Sequence, residues 1–302
     1  MFKVTMLCQV FFLTVEVVFF SQSNPVKAEP LKIHYSQGNS SFDNRSNYFI
    51  QVLQLAMNKS TKRLGDYLLI PIAAPTTQAR RFQSVRRQGG LDITWGMSSP
   101  ERENEFIAIP FPLLKGLIGY RVLLIHKDSQ DAFRRLEHQD DFQKMKAIQG
   151  TSWPDVEYLT HNDFQVVTHS GYEVLFNMLR KKRVDYFPRS IEEVWSELEG
   201  PYAKDILLLD NVLLHYQAPI YFFVSKENPE LAERILSGLE IANRDGSFQQ
   251  LFDQHPSVIK AKAFLNKPDL KVFKLNAPYN LPSLPGMNSD YWYYPDVMTI
   301  TE

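Results

Sequence analysis

The chain has 302 residues, long enough for two lobes or domains rather than one minimal core. Hydrophobic residues make up 44% and charged residues 22%, close to globular averages, which excludes a disordered or collagen-like chain. Lys plus Arg number 33 against 34 Asp plus Glu, so no basic excess exists to neutralise a nucleic-acid backbone, and a single cysteine excludes a disulfide scaffold or a multi-thiolate metal site.

In chain order, the first 28 residues read as an export leader. Lys3 supplies the positive start, residues 10–20 form an apolar run interrupted only by Thr14 and Glu16, and Val26-Lys27-Ala28 has the residue types of a cleavage site after Ala28. The run is too short to span a bilayer, which takes about 20 residues. Cys8 precedes it and so cannot be a lipid anchor at the cut. A mature protein beginning at Glu29 and released into the periplasm is expected.

Leu31–Gln37 reads as a strand, and 48–57 as a helix because Tyr48, Val52, Leu55 and Ala56 share one face. Residues 67–73 form an apolar strand. Thr76 is the expected cap of a helix carrying Ala79, Phe82 and Val85, which the Gly89-Gly90 pair ends. Strands follow at 91–97 and 106–111, then a long apolar β segment at 116–126. A second series has strands at 147–149, 165–168, 184–187 and 206–209, with helices from Ser152, at 172–182 and at 191–198. Residues 218–224 are a second long β segment, and 229–252 read as helical. Strands alternating with helices predict an α/β fold with mostly parallel sheets flanked by helices. Two such series joined by two long β segments predict two lobes bridged by a pair of crossing strands. The first lobe takes 29–118 and the return helices at 218–255, and the second takes 119–217. A ligand would sit in the cleft between them, closed by hinge motion. The tail, 256–302, is rich in Pro, Asn and Tyr and is expected to pack on a lobe, with partner docking as the alternative.

Three segments carry a family resemblance: Ser98-Ser99-Pro100-Glu101-Arg102 followed by Phe106 and Pro110; Gly150-Thr151-Ser152 after a strand; and Asn228-Pro229-Glu230-Leu231 with Asp245-Gly246 and 248–252. In this order and spacing the chain resembles the periplasmic solute-binding proteins of the polar amino-acid type, solute-binding family 3, over most of its length. The resemblance implies a type II periplasmic-binding-protein fold in which Arg102 grips the carboxylate of the ligand, its planar guanidinium matching it with two parallel charge-assisted bonds. It also implies that Thr151, Ser152 and the helix amides behind them meet the same carboxylate from the second lobe. One stretch departs from the pattern. Members that bind amino acids carry an acidic residue where this chain has Ser190, with Arg189 beside it. Arg102 and Arg189 without an obvious carboxylate partner would favour anions over zwitterions. Trp153-Pro154-Asp155 and 172–179 are similar to a branch of the family that lacks well-defined ligands.

Further pocket candidates are Ser98, which opens the motif; Tyr35, at the end of the first strand; and Arg80, the best placed of Arg80, Arg81, Arg86 and Arg87, which otherwise read as a solvated face. Trp95 and Trp153 stack on a ligand or belong to the core. The seven histidines have no metal-ligand spacing, and no GxSxG, P-loop or GxGxxG motif occurs, so neither metal nor cofactor is expected. The expected function is non-enzymatic capture of a small polar carboxylate-bearing solute by a monomer that serves an ABC transporter permease or a membrane sensor, with no nucleic acid involved. The alternatives are a dehydratase of prephenate-like acids on the same fold, for which Glu173 is the best acid/base candidate and reads as solvent-facing, and a sensor or interaction protein acting through a partner.

Overall fold

A computed structural model describes residues 29–37, 45–73, 77–87, 90–201, 203–285, 290–295 and 299–301. The expected leader, Cys8, Thr76 and Gly89 lie outside the described residues.

The first series runs β1 (Leu31–Gln37), α1 (Arg45–Leu64), β2 (Tyr67–Ala73), α2 (Gln78–Arg86), β3 (Ile93–Met97), α3 (Pro100–Glu105) and β4 (Ile107–Ile109). The second runs β5 (Tyr120–His126), α4 (Gln130–Arg134), α5 (Gln139–Gln143), β6 (Lys146–Gly150), α6 (Asp155–His161), β7 (Gln165–His169), α7 (Tyr172–Arg180), β8 (Tyr186–Ser190), α8 (Val194–Glu199) and β9 (Ile206–His215). Then come β10 (Ile220–Val224), α9 (Pro229–Arg244), α10 (Ser247–Gln254), α11 (Pro256–Leu265), β11 (Lys271–Lys274) and β12 (Thr299–Thr301). Among the described residues no helix is long and apolar enough to cross a membrane.

The strands form two sheets, ordered β2-β1-β3-β10-β4 and β12-β11-β9-β5-β8-β6-β7. Both are mixed: the first has as many antiparallel as parallel pairings, and the second is mostly parallel. β1 pairs in parallel with β2 and β3, while β10 runs antiparallel to β3 and β4. In the second sheet β6 pairs in parallel with β7 and β8, while β5 runs antiparallel to β8 and β9. The reason is the route of the chain. A segment that crosses into the second lobe as β5 and leaves it as β9 runs in opposite directions on the two passages. The antiparallel pairs are therefore the signature of the crossing itself. The long segment at 116–126 is strand only from Tyr120, because Lys115 and Gly116 turn the chain at φ 48° and 81° and lead into a 3-10 turn at Leu117–Gly119.

Capping and close packing set the helices that matter most. Thr77 caps α2, accepting from the Arg80 amide. The expected helix at 229–252 is two helices, separated at Gly246, whose φ of 79° ends the run begun by Pro229. α1 buries Tyr48, Val52, Leu53, Ala56 and Met57 and runs along α9. Only glycine fits at 238, since a Cβ there would stand 1.9 Å from the Ala56 carbonyl oxygen.

The tail does more than cover a lobe. β11 pairs in parallel with β9 from Lys271 opposite Val212, and β12 pairs in parallel with β11, so the tail widens the second sheet by two strands.

Candidate functional site

β3 ends at Met97, and the chain turns into α3 with Ser99 as N-cap, its hydroxyl accepting from the Arg102 amide, and Pro100 in the first turn. This corner aims the Arg102 guanidinium back across the end of the strand. Its Nη1 donates to the Met97 carbonyl at 2.6 Å, and its Nη2 donates to Gln78 Oε1 at 2.6 Å and to the Ser152 carbonyl at 2.9 Å. Met97 and Gln78 belong to the first lobe and Ser152 follows β6 of the second, so Arg102 spans the boundary between them. The group is 8% exposed and lies 4.4 Å from the centroid of the Phe82 ring. Burial lowers its pKa to about 10, with Asp155 opposing the effect. Among the described residues all its acceptors are neutral, and about two of the five N–H donors of a guanidinium remain unassigned.

Two further arginines are buried nearby. Arg121 on β5 is 2% exposed and pairs with Asp155 Oδ1 at 2.6 Å, while its Nη2 also reaches the Met97 sulfur at 3.7 Å. Tyr216 donates to the same carboxylate oxygen at 2.5 Å and stacks on Tyr158 at 4.4 Å. Burial alone would lower the Arg121 pKa, but Asp155 and Tyr216 outweigh it and the value is raised. The sequence reading missed Arg121 and gave Asp155 no role.

Arg189 on β8 corrects an expectation. Far from lacking carboxylate partners, its Nη2 meets Glu197 Oε1 at 2.6 Å and Glu193 Oε2 at 2.8 Å, and its Nε meets both Glu197 oxygens. Burial opposes the charge, yet Glu193 and Glu197 hold its pKa well above the ordinary value. The guanidinium lies against Trp153 and Phe187, 4.8 and 5.0 Å from their ring centroids. Glu193 is the N-cap of α8 and Glu197 lies within it, both a few residues after Ser190. The preference for anions argued from two free arginines therefore loses one of them.

The other candidates divide. Ser152 reaches the site, but through its backbone carbonyl, and the Thr151 and Ser152 side chains are exposed; α6 begins only at Asp155. Ser98 is buried and donates to Glu103 Oε1 at 2.6 Å. Trp153 backs Arg189. Arg80 is exposed, and it is Arg81 whose charge acts on Arg102. Trp95 is a core residue, stacked on Phe49 at 5.4 Å, and Tyr35 is half-buried against the same core.

Neither a protein-family model nor a curated protein sequence matches the chain. Solved structures do match in three dimensions. A Salmonella typhimurium periplasmic binding protein with high arginine specificity superposes with a TM-score of 0.56 at 14% identity, over 74% of this chain and 98% of that one. An ancestral arginine-binding protein bound to arginine gives 0.54 at 14% identity, over 76% and 98%. The GluR0 ligand-binding core from Nostoc punctiforme, in complex with L-glutamate, gives 0.51 at 13% identity, over 76% and 100%. This is the two-lobed fold of the type II periplasmic binding proteins. In this fold Arg102 bonds to residues around both sheets, to Met97 and Gln78 on one side and to Ser152 on the other.

A separate cavity lies elsewhere. It has about 790 Å³, between α1 and α10 on one side and α8 and α11 on the other, and is lined by Asn47, Gln51, Gln250, Gln254 and Trp195 among others. It shares no lining residue with the Arg102 cluster. Its lining also carries the buried Glu192, which accepts from Ser257 Oγ at 3.2 Å, and the Lys260–Glu199 ion pair.

Proposed function

We propose that this chain is a non-enzymatic solute-binding protein that captures a small carboxylate-bearing solute, an amino acid or related acid, between its lobes. One observation carries the reading: Arg102 is a buried cation whose described acceptors are all neutral. A buried charge without a counter-charge is costly, and an incoming carboxylate removes that cost while making bidentate bonds. The amino-acid binding proteins among the structural neighbours support the same ligand class. Against an enzyme speaks the state of the nearby acids. Asp155, Glu193 and Glu197 are all tied to buried arginines, which leaves none of the three poised to move a proton. The Glu193–Glu197 pair around Arg189 also leaves a net negative cluster, which suits the ammonium end of a zwitterion. The leader-like first 28 residues support a periplasmic location, and an ABC transporter permease or a membrane sensor is the partner such a protein would serve.

A thermal-shift screen tests the reading with amino acids and organic acids set against their amides and neutral sugars. The carboxylates should raise the melting temperature in proportion to RT ln(1 + [L]/Kd), about 2.7 kcal/mol of stabilisation at a hundredfold excess over Kd. Stabilisation by the amides or sugars alone would refute it.

A further inference from the structure

We infer that the C-terminal extension is a strap that holds the two lobes together, so that their relative arrangement in this chain does not depend on ligand. The inference rests on the two-lobed fold and not on what the cleft binds.

The extension is anchored first on the second lobe. β11 continues the sheet beside β9, and the Leu275 amide donates to the His215 carbonyl at 2.7 Å. Asn276 and the buried Asn162 of the second lobe exchange two hydrogen bonds, each of 2.8 Å. Tyr279 packs edge-on against Tyr158 at 5.5 Å. A few residues later the chain is fixed to the first lobe. Ser283 Oγ donates to Glu103 Oε1 at 2.5 Å, and the Ser283 carbonyl accepts from the Tyr221 hydroxyl at 3.1 Å. Glu103 sits on α3 beside Arg102 and also receives the Ser98 hydroxyl, so the strap is pinned to the corner that carries the binding arginine.

The extension then reaches the point where the chain crosses between lobes. Trp292 is buried over Gly116, where a Cβ would stand 2.6 Å from the indole, and the Tyr293 amide donates to the Lys115 carbonyl at 2.8 Å. Tyr291 packs edge-on against Phe111 at 5.1 Å. The last strand, β12, returns to the second sheet. A hinged pair of lobes opens by rotating about its crossing segments. Here one stretch of chain is hydrogen-bonded to the second lobe, the first lobe and the crossing, so rotation requires one set of anchors to break.

The test is the distribution of distances between spin labels on the two lobes of the full chain, without added solute. Gln83 and Lys181, exposed on the first and second lobes, are replaced by cysteine in a Cys8→Ser background, Cys8 being the only native cysteine. The strap predicts one narrow distribution. Tyr221→Phe with Ser283→Ala removes the first-lobe anchor while deleting only two hydroxyls, and should broaden it; adding Trp292→Ala should broaden it further. A broad distribution in the unmodified chain overturns the inference. So does a distribution that stays narrow in the double variant and in the triple variant while circular dichroism shows both folded; should the triple variant fail to fold, the double variant decides. Neither outcome bears on whether Arg102 binds a carboxylate, which the solute screen reads separately.

Discussion

At Arg121 a fully buried guanidinium is tolerated because Asp155 meets it at 2.6 Å and Tyr216 satisfies the carboxylate further. Removing one member of such a pair leaves the other charge stranded, which costs far more than the pair itself contributes. Asp155→Ala should therefore lower the unfolding free energy by about 3–5 kcal/mol in urea titration, whereas Asp155→Ala combined with Arg121→Met should recover much of the loss. A single variant as stable as the parent would contradict the assignment. His215 gives a second residue-scale expectation. Burial, with Lys274 adding to it, lowers its pKa to about 4, while an unfolded chain's histidine titrates near 6.5. The unfolded state thus binds the proton first. The contribution of His215 is complete above about pH 6.5 and is lost as the pH falls toward 4, at up to about 1.4 kcal/mol per pH unit. Unfolding midpoints of the parent and of His215→Phe between pH 7 and 4.5 should diverge, with the variant losing less; parallel curves would exclude the histidine.

Arg102 was legible from the sequence because it sits in a contiguous motif with a capping serine and a proline before it. Arg121 was not, because in Tyr120–His126 a lone arginine in an apolar strand has the same appearance whether it faces water or a carboxylate far along the chain. The partners of Arg189 were hidden differently. Glu193 and Glu197 follow Arg189 by four and eight residues, a spacing that in the sequence does not reveal an ion pair running from a strand to the next helix.

At the scale of elements, the helix pair α1 and α9 depends on one close approach. Gly238→Ala should separate them and lower stability by about 1–3 kcal/mol, the usual cost of an extra methyl in a packed contact. An unchanged denaturation midpoint would show that the helices can give. Periodic, apolar elements were readable, and β1 and β2 fall where the alternation and turn signals put them. α3 was missed because PERENE is all polar apart from its proline, and its helicity comes from the Ser99 cap rather than from an apolar face. The direction of β5, β9 and β10 was missed as well. Side-chain pattern reports which face of a strand is buried but not whether its neighbour runs with it or against it.

At the scale of the molecule, two lobes were foreseeable from two strand–helix series separated by long β segments. The attachment of the tail to both lobes was not, since β11 and β12 are short and their partners lie far away in the chain. The structure unites the two halves of the account at one corner. α3 aims Arg102 at the Ser152 carbonyl and Glu103 at the Ser283 hydroxyl of the tail, so the residue proposed to hold the solute sits on the helix the strap is pinned to.

The central claim is that Arg102 binds the solute's carboxylate, and calorimetry of a stabilising solute from the screen, against the parent chain, Arg102→Lys and Arg102→Ala, tests it most directly. Lysine keeps the charge but loses the planar fork, so affinity should fall even there, and alanine should weaken binding by about 2–5 kcal/mol while the variant remains folded. A carboxylate solute that binds Arg102→Ala as tightly as it binds the parent would contradict the account.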